Sequence, residues 1–275
     1  MSLRAMTWNL WWHFGPWEQR WPAIVQTIRD VDPDVICLQE VWSDETTDDA
    51  ERLAEECGLH ATRTGPVFWN GQSFGNAVLS RWPSERIADD RLPDRTGEPG
   101  HRRVVVARVD TPWGPWPFAA THLDFPADAS AVRQDQVRHV MSLARDLRSD
   151  PMEALPLVVG ADLNAVPDSD ELRVFTGRSP GVDGIAFGDA WEQAGDESAD
   201  LAGATWLRRN PYSADSAWPN RRLDYLLVAW PRPKPTGNPI RAWRVADEPV
   251  ALPEGTEIWA SDHAAVVADL VTPDT

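Results

Sequence analysis

Eight apolar runs of four to eight residues each punctuate the chain, at 4–10, 35–40, 77–80, 104–109, 118–122, 157–161, 223–228 and 264–270. Runs this short fit strands rather than helices, and near-continuous apolar character marks strands covered on both faces. Helical spacing appears between some of them, over 17–31, 46–57 and 129–148, and Asp128 or Ser130 stands where it could cap the third helix. The intervals are uneven. Short turns such as Pro112-Trp113-Gly114-Pro115 join neighbouring strands in the middle of the chain, so a uniform strand-helix repeat fits poorly and mixed sheets fit better. The Pro/Gly-rich stretches 92–100 and 231–239 are flanked by strands that need the other half's strands to cover them. They read as surface loops within one domain spanning residues 1–275.

The balance of 43 acidic against 26 basic residues gives a formal charge of −17, and Lys234 is the only lysine. That field repels polyanions and argues against a sequence-blind nucleic-acid binder. Arg102-Arg103, Arg208-Arg209 and Arg221-Arg222 keep a nuclease on DNA or RNA as an alternative. Cys37 and Cys57 fit no metal-ligand spacing, and Cys37 sits in an apolar run as a small buried hydrophobe would. With neither a leader-like basic-then-apolar start nor an apolar stretch of about 20 residues, the expectation is a soluble, cytoplasmic protein without a membrane span.

Polar residues stand at the ends of the apolar runs, where burial is costly without a partner or ligand. Asn9 ends the first run, Glu40 the second and His122 the fifth; Asp162 and Asn164 follow the sixth, Asp224 opens another, and Asp262-His263 precede the last. If the strand ends converge, one rim holds an acidic pocket containing two histidines. Carboxylates with an Asn amide suit Mg²⁺ or Mn²⁺, whereas zinc usually gathers closely spaced His and Cys. Hydrolysis of a phosphate ester needs positive charge opposite the phosphoryl oxygens, a base for water and an acid for the leaving group. A gathering of Trp8, Trp11, Trp12, Trp17 and Trp21 around Asn9 suggests partly core packing and partly an aromatic wall beside the pocket.

Seven segments, in order, are Thr7-Trp8-Asn9-Leu10, Leu38-Gln39-Glu40-Val41, Gly75-Asn76-Ala77-Val78-Leu79-Ser80, Thr121-His122-Leu123-Asp124, Gly160-Ala161-Asp162-Leu163-Asn164, Arg222-Leu223-Asp224-Tyr225 and Ser261-Asp262-His263. Each is weak alone, but together they resemble the endonuclease/exonuclease/phosphatase superfamily of DNase I-like phosphoesterases. The resemblance implies a four-layer α/β sandwich, two mixed sheets face to face with helices outside. It also implies an Mg²⁺- or Mn²⁺-dependent hydrolase whose metal ligand is Glu40, with Asn9 and Asp262 completing or orienting the metal's shell. Asp224 would fix the His263 ring, His122 would contact phosphate or assist the leaving group, Asp162 would position or deprotonate water, and Asn164 would bind a phosphoryl oxygen. Asn76 and Arg103 are further phosphate-binding candidates, although a salt bridge accounts equally well for Arg103. The identity of the base stays open, as do the oligomeric state and the substrate, with a small phosphorylated metabolite, phosphodiester or lipid headgroup ahead of nucleic acid. A catalytically silent member binding a phosphorylated ligand or a protein is the rival of another class. A hydrolase of other esters lacks a Gly-x-Ser-x-Gly elbow to support it.

Overall fold

The computed structural model describes residues 1–65, 68–148, 150–195, 203–253 and 255–273. Along the chain the strands are β1 (Ser2–Asn9), β2 (Val35–Asp44), β3 (His60–Arg63), β4 (Phe68–Trp69), β5 (Gln72–Ser80), β6 (Ser84–Pro93), β7 (Pro99–Thr111) and β8 (Gly114–His122). They continue as β9 (Val158–Asp162), β10 (Ala186–Asp189), β11 (Asp224–Trp230), β12 (Pro239–Val245), β13 (Val250–Ala251), β14 (Glu257–Ile258) and β15 (Ala265–Val271). The helices are α1 (Trp17–Val31), α2 (Asp49–Cys57), α3 (Ser130–Asp146), α4 (Asp170–Phe175) and α5 (Ala190–Ala194).

One sheet runs β12-β15-β1-β2-β5-β3, with β4 also on β5; the other runs β10-β11-β9-β8-β7-β6. Each is mixed. β1 and β2 are parallel at the centre of the first, β8 and β9 at the centre of the second, and every other pairing within the two sheets is antiparallel. A parallel pair needs a crossover, and α1 and α3 lie in those two crossovers.

Alternation along the strands builds the layers. In β2, Val35 and Cys37 face inward against Val105, Phe118, Val158 and Leu226 of the other sheet. Ile36 and Leu38 face outward, onto Ile24 and Ile28 of α1 and Leu53 of α2. On the opposite side Val104, Val159 and Leu227 meet Val137, Val140 and Met141 of α3 and Phe175 of α4. The order helix, sheet, sheet, helix is the expected four-layer sandwich, and coverage on both faces explains why the central strands are apolar throughout.

The edges depart from the sequence reading. β3, β6 and β12 had no apolar signature because they end the sheets, where charge on the open side discourages pairing with another chain; β6 reads Ser-Glu-Arg-Ile-Ala-Asp-Asp-Arg-Leu-Pro. Stretch 92–100 is a hairpin rather than a loop throughout, since Pro93 pairs with Pro99. Neither expected cap holds α3. Its N-cap is Ala129 without a side-chain bond, because Asp128 is drawn away to Arg95 at 2.7 Å and Ser130 already lies inside the helix.

Candidate active site

The parallel pairs aim their carboxyl ends at one rim, and strands antiparallel to them begin there. Register makes this concrete: His122, Asp162 and Asp224 stand side by side at the ends of β8 and β9 and the start of β11. Asn9 ends β1, and Ser261-Asp262-His263 leads into β15 beside it. Glu40 arrives differently. The β2–β5 ladder slips between Leu38 and Val41, and Glu40 adopts a left-handed backbone, φ 53°. Such a bulge turns a side chain away from the face that alternation would give it. Asn164 is also left-handed, φ 48°, and strain of this kind is kept where surrounding bonds hold it.

Those bonds knit the two sheets together. The Asn9 amide nitrogen donates to Glu40 Oε1 at 3.1 Å and to Asp162 Oδ2 at 3.0 Å, while its oxygen accepts from Trp11 N–H at 2.9 Å. Asn9 thus ties two carboxylates together with its nitrogen rather than offering them an oxygen. Asp162 Oδ1 accepts the Asn164 backbone N–H at 2.9 Å. The Asn164 amide donates to His122 Nε2 at 3.0 Å and to Leu123 O at 3.1 Å, so its nitrogen fixes His122's ring and leaves the proton of a neutral imidazole on Nδ1. That nitrogen is buried without a partner, 3.8 Å from Glu40 Oε1. Across the rim, His263 Nδ1 donates to Asp224 Oδ2 at 2.8 Å, and His263 Nε2 lies 3.8 Å from Asp162 Oδ2. The segment is pinned by Ser261 Oγ on Asn9 O at 2.7 Å and by Trp8 Nε1 on His263 O at 2.9 Å.

Burial and charge divide the two imidazoles. Desolvation, then the neighbouring Arg102, pulls His122 down to about 3, so it is neutral near pH 7. Burial would lower His263 too, but Asp224 first, with Asp262 and Asp162, overrides it and holds the ring well above its ordinary value. Asp162 shows the converse: burial pushes it up, yet both imidazoles and the Asn164 and Asn9 bonds leave it below the usual carboxylate value. Glu40 is raised to about 7 by burial and by Asp262, and Asp262 to about 6 by burial, despite His263.

Two carboxylates held that high, Asp262 buried and Glu40 half-buried, are what a divalent cation would relieve, and their oxygens are the hard donors Mg²⁺ or Mn²⁺ prefers. Among the described residues the tight trio of potential ligand atoms, all within 4.8 Å of one another, is Asp162, Asp224 and His263. An imidazolium has no lone pair on either nitrogen, and His263 is held well above its ordinary value, so the donor chemistry favours the Glu40 and Asp262 side.

The two weaker phosphate candidates have their polar groups engaged elsewhere. Asn76 donates to Arg103 O at 2.9 Å, and Arg103 is forked onto Asp89 at 2.6–2.8 Å. Its neighbour Arg102 reaches the rim instead, its guanidinium 5.8 Å from the Phe74 ring centre, and Phe74 is 6.0 Å from the His122 ring. Arg221 is a further cation near the rim, feeling Asp162 and stacked 4.7 Å over Trp218. Arg20 was not legible in the sequence at all. From inside α1 it donates to Leu10 O and Ala260 O, at 2.9 and 2.8 Å, and to Trp11 O, Trp12 O and Phe14 O. One buried guanidinium thereby sets both the loop after Asn9 and the approach to Asp262.

The Endonuclease/Exonuclease/phosphatase family model matches residues 6–263. An endonuclease/exonuclease/phosphatase from Beutenbergia cavernae superposes with a TM-score of 0.71 at 25% identity, covering 98% of this chain and 72% of that one. A mannosyl-6-phosphatase of Bacteroides thetaiotaomicron superposes at 0.73 with 17% identity, covering 98% and 100%, a likeness of fold alone. Protein angel of Drosophila melanogaster is 23% identical over 183 residues, 63% of this chain, which spans about half (51%) of that protein's length. With the match running from β1 to His263 and every candidate site residue inside it, the chain belongs to the Endonuclease/Exonuclease/phosphatase family.

Proposed function

We propose that the protein is an Mg²⁺- or Mn²⁺-dependent hydrolase of phosphate esters, acting on a small phosphorylated metabolite, phosphodiester or lipid headgroup. The observation that carries this is the arrangement of His263, bonded to Asp224 at 2.8 Å and facing Asp162 at 3.8 Å, with the ring held above its ordinary value and Asp162 below its own. Glu40 and Asp262 would hold the metal, with Asn9 orienting Glu40. When bound, the metal would supply Lewis-acid polarisation of the phosphoryl group. His263 offers fixed positive charge to the phosphoryl oxygens, and Asp162, kept ionised, accepts the proton of the attacking water. Neutral His122 presents an unpartnered N–H for hydrogen bonding to substrate.

Charge supports a small substrate. In each arginine pair one member is neutralised, Arg103 by Asp89, Arg222 by Asp189 and Arg209 by Asp247, which leaves too little for a phosphate track on a molecule of charge −17. No described helix is long and apolar enough to cross a membrane. Both thiols are free, as a reducing compartment allows, and the cytoplasm is the compartment we assign. The shared core between the sheets supports reading residues 1–275 as one domain.

Hydrolysis of bis(p-nitrophenyl) phosphate and of p-nitrophenyl phosphate, with EDTA and with added Mg²⁺ or Mn²⁺, tests this. Metal-dependent turnover is expected, falling roughly 10²-fold or more in Glu40→Gln. Turnover that survives EDTA removes the metal from the reading, and no turnover on any ester favours a binding protein.

A further inference from the structure

Beside the rim, between the loop after β1 and the start of α2, lies a hollow of about 500 Å³ walled by Trp12, His13, Trp17, Trp42 and Asp49. A smaller hollow shares Trp12, His13, Trp17 and Asp49 with it and reaches Glu40, and Trp12 N–H donates to Glu40 O at 3.1 Å. Trp12, which walls the hollow, is thus hydrogen-bonded to the residue whose carboxylate is assigned to the metal. His13 fills the slot between two indoles, its ring centre 3.7 Å from Trp17 and 4.1 Å from Trp42 and nearly parallel to both, at 7° and 14°. Its Nε2 bonds Asp49 Oδ2 at 2.8 Å.

Two polar atoms in this wall have no partner: the Trp42 indole Nε1–H and Asp49 Oδ1. Their residues are 9% and 5% exposed. A buried donor and a buried acceptor left unpaired are unfavourable, and a ligand that bonds both removes the cost.

We propose that this hollow is the specificity subsite for a sugar or polyol ring carried by the phosphorylated substrate, an inference that rests on the phosphoesterase reading. One hydroxyl would donate to Asp49 Oδ1 and a second accept from Trp42 Nε1–H, with the ring's C–H face against indole. A hydroxyl-bearing ring offers both roles. A nucleobase would need an open aromatic slot, and His13 already occupies the one between Trp17 and Trp42.

The test compares kcat/KM for mannose 6-phosphate, glucose 6-phosphate, AMP and p-nitrophenyl phosphate in the wild type, Trp42→Phe and Asp49→Asn. Trp42→Phe keeps a ring and removes only the donor, so it decides the matter if Asp49→Asn does not fold. A preference for a hexose phosphate over the nitrophenyl ester is expected, shrinking about tenfold in each variant through KM. An undiminished preference, or a loss confined to AMP, overturns the proposal. If no ester is hydrolysed, the phosphoesterase reading fails separately, and calorimetric titration with unphosphorylated mannose and glucose reads the subsite alone. Saturable heat that disappears in Trp42→Phe upholds it; no heat in the wild type, or heat unchanged in Trp42→Phe, overturns it.

Discussion

His122 and His263 approach the same Asp162 carboxylate, at 3.3 and 3.8 Å, yet are shifted in opposite directions because of what lies behind each ring. Behind His263 is Asp224, whose charge keeps the imidazole protonated; behind His122 are an Asn164 amide donating to its Nε2 and the nearby Arg102. Asp224→Asn removes the charge and keeps the shape, so the His263 pKa should fall toward its ordinary value. If turnover requires protonated His263, the variant loses its activity at lower pH than the wild type, and kcat drops roughly 10²–10⁴-fold. A pH–rate profile measured on both proteins checks this, and an unmoved alkaline limb would separate the pair from catalysis. The residue types were readable from the sequence. Their protonation was not, since it depends on neighbours up to 141 positions away in the chain, as for Asp162 bearing on His263 and His263 bearing on His122.

The two sheets meet closely where β9 passes β2. A Cβ built on Gly160 would lie 2.3 Å from Cys37 Cβ and 3.0 Å from Thr7 Cβ, and Gly160 O accepts from Gln39 Nε2 at 3.2 Å, beside the bulge that carries Glu40. Gly160→Ala should force the sheets apart and cost about 1–3 kcal/mol, read as a lower urea midpoint. Cys37→Ala in the same chain should restore part of the loss by removing the sulfur, also within 2.9 Å of the added carbon. An unchanged midpoint in Gly160→Ala would mean that the sheets do not pack so tightly there. Central strands and long helices were legible because apolar residues cover both faces of the former and one face of the latter. The edge strands β3, β6 and β12 were not, because solvent rather than packing selects much of their sequence.

For the whole molecule, the acidic rim links stability to pH and metal. Glu40 and Asp262 are raised in the folded state, to about 7 and about 6. Their contribution to stability is thus fully present below the unfolded carboxylate values near 4 and is lost as pH rises through 6 and 7. In EDTA, Tm should fall between pH 5 and pH 8 on this account. Mg²⁺ or Mn²⁺ should raise Tm, more at pH 8 than at pH 5, because a cation binds the ionised carboxylates. A metal increment equal at both pH values would place the cation elsewhere. By itself the sequence determined the central strands and their mixed sheets, and through the family resemblance the sandwich; it also nominated Asn9, Glu40, His122, Asp162, Asn164, Asp224, Asp262 and His263 as candidates, because apolar runs and the polar residues that end them are local signals. Tertiary structure alone decided that Asn9 and Asn164 spend their amide nitrogens orienting neighbours, that Arg102 rather than Arg103 reaches the rim, and that Arg20 holds the adjoining loops. Those outcomes rest on hydrogen bonds and burial between segments far apart in the chain, which no local pattern encodes.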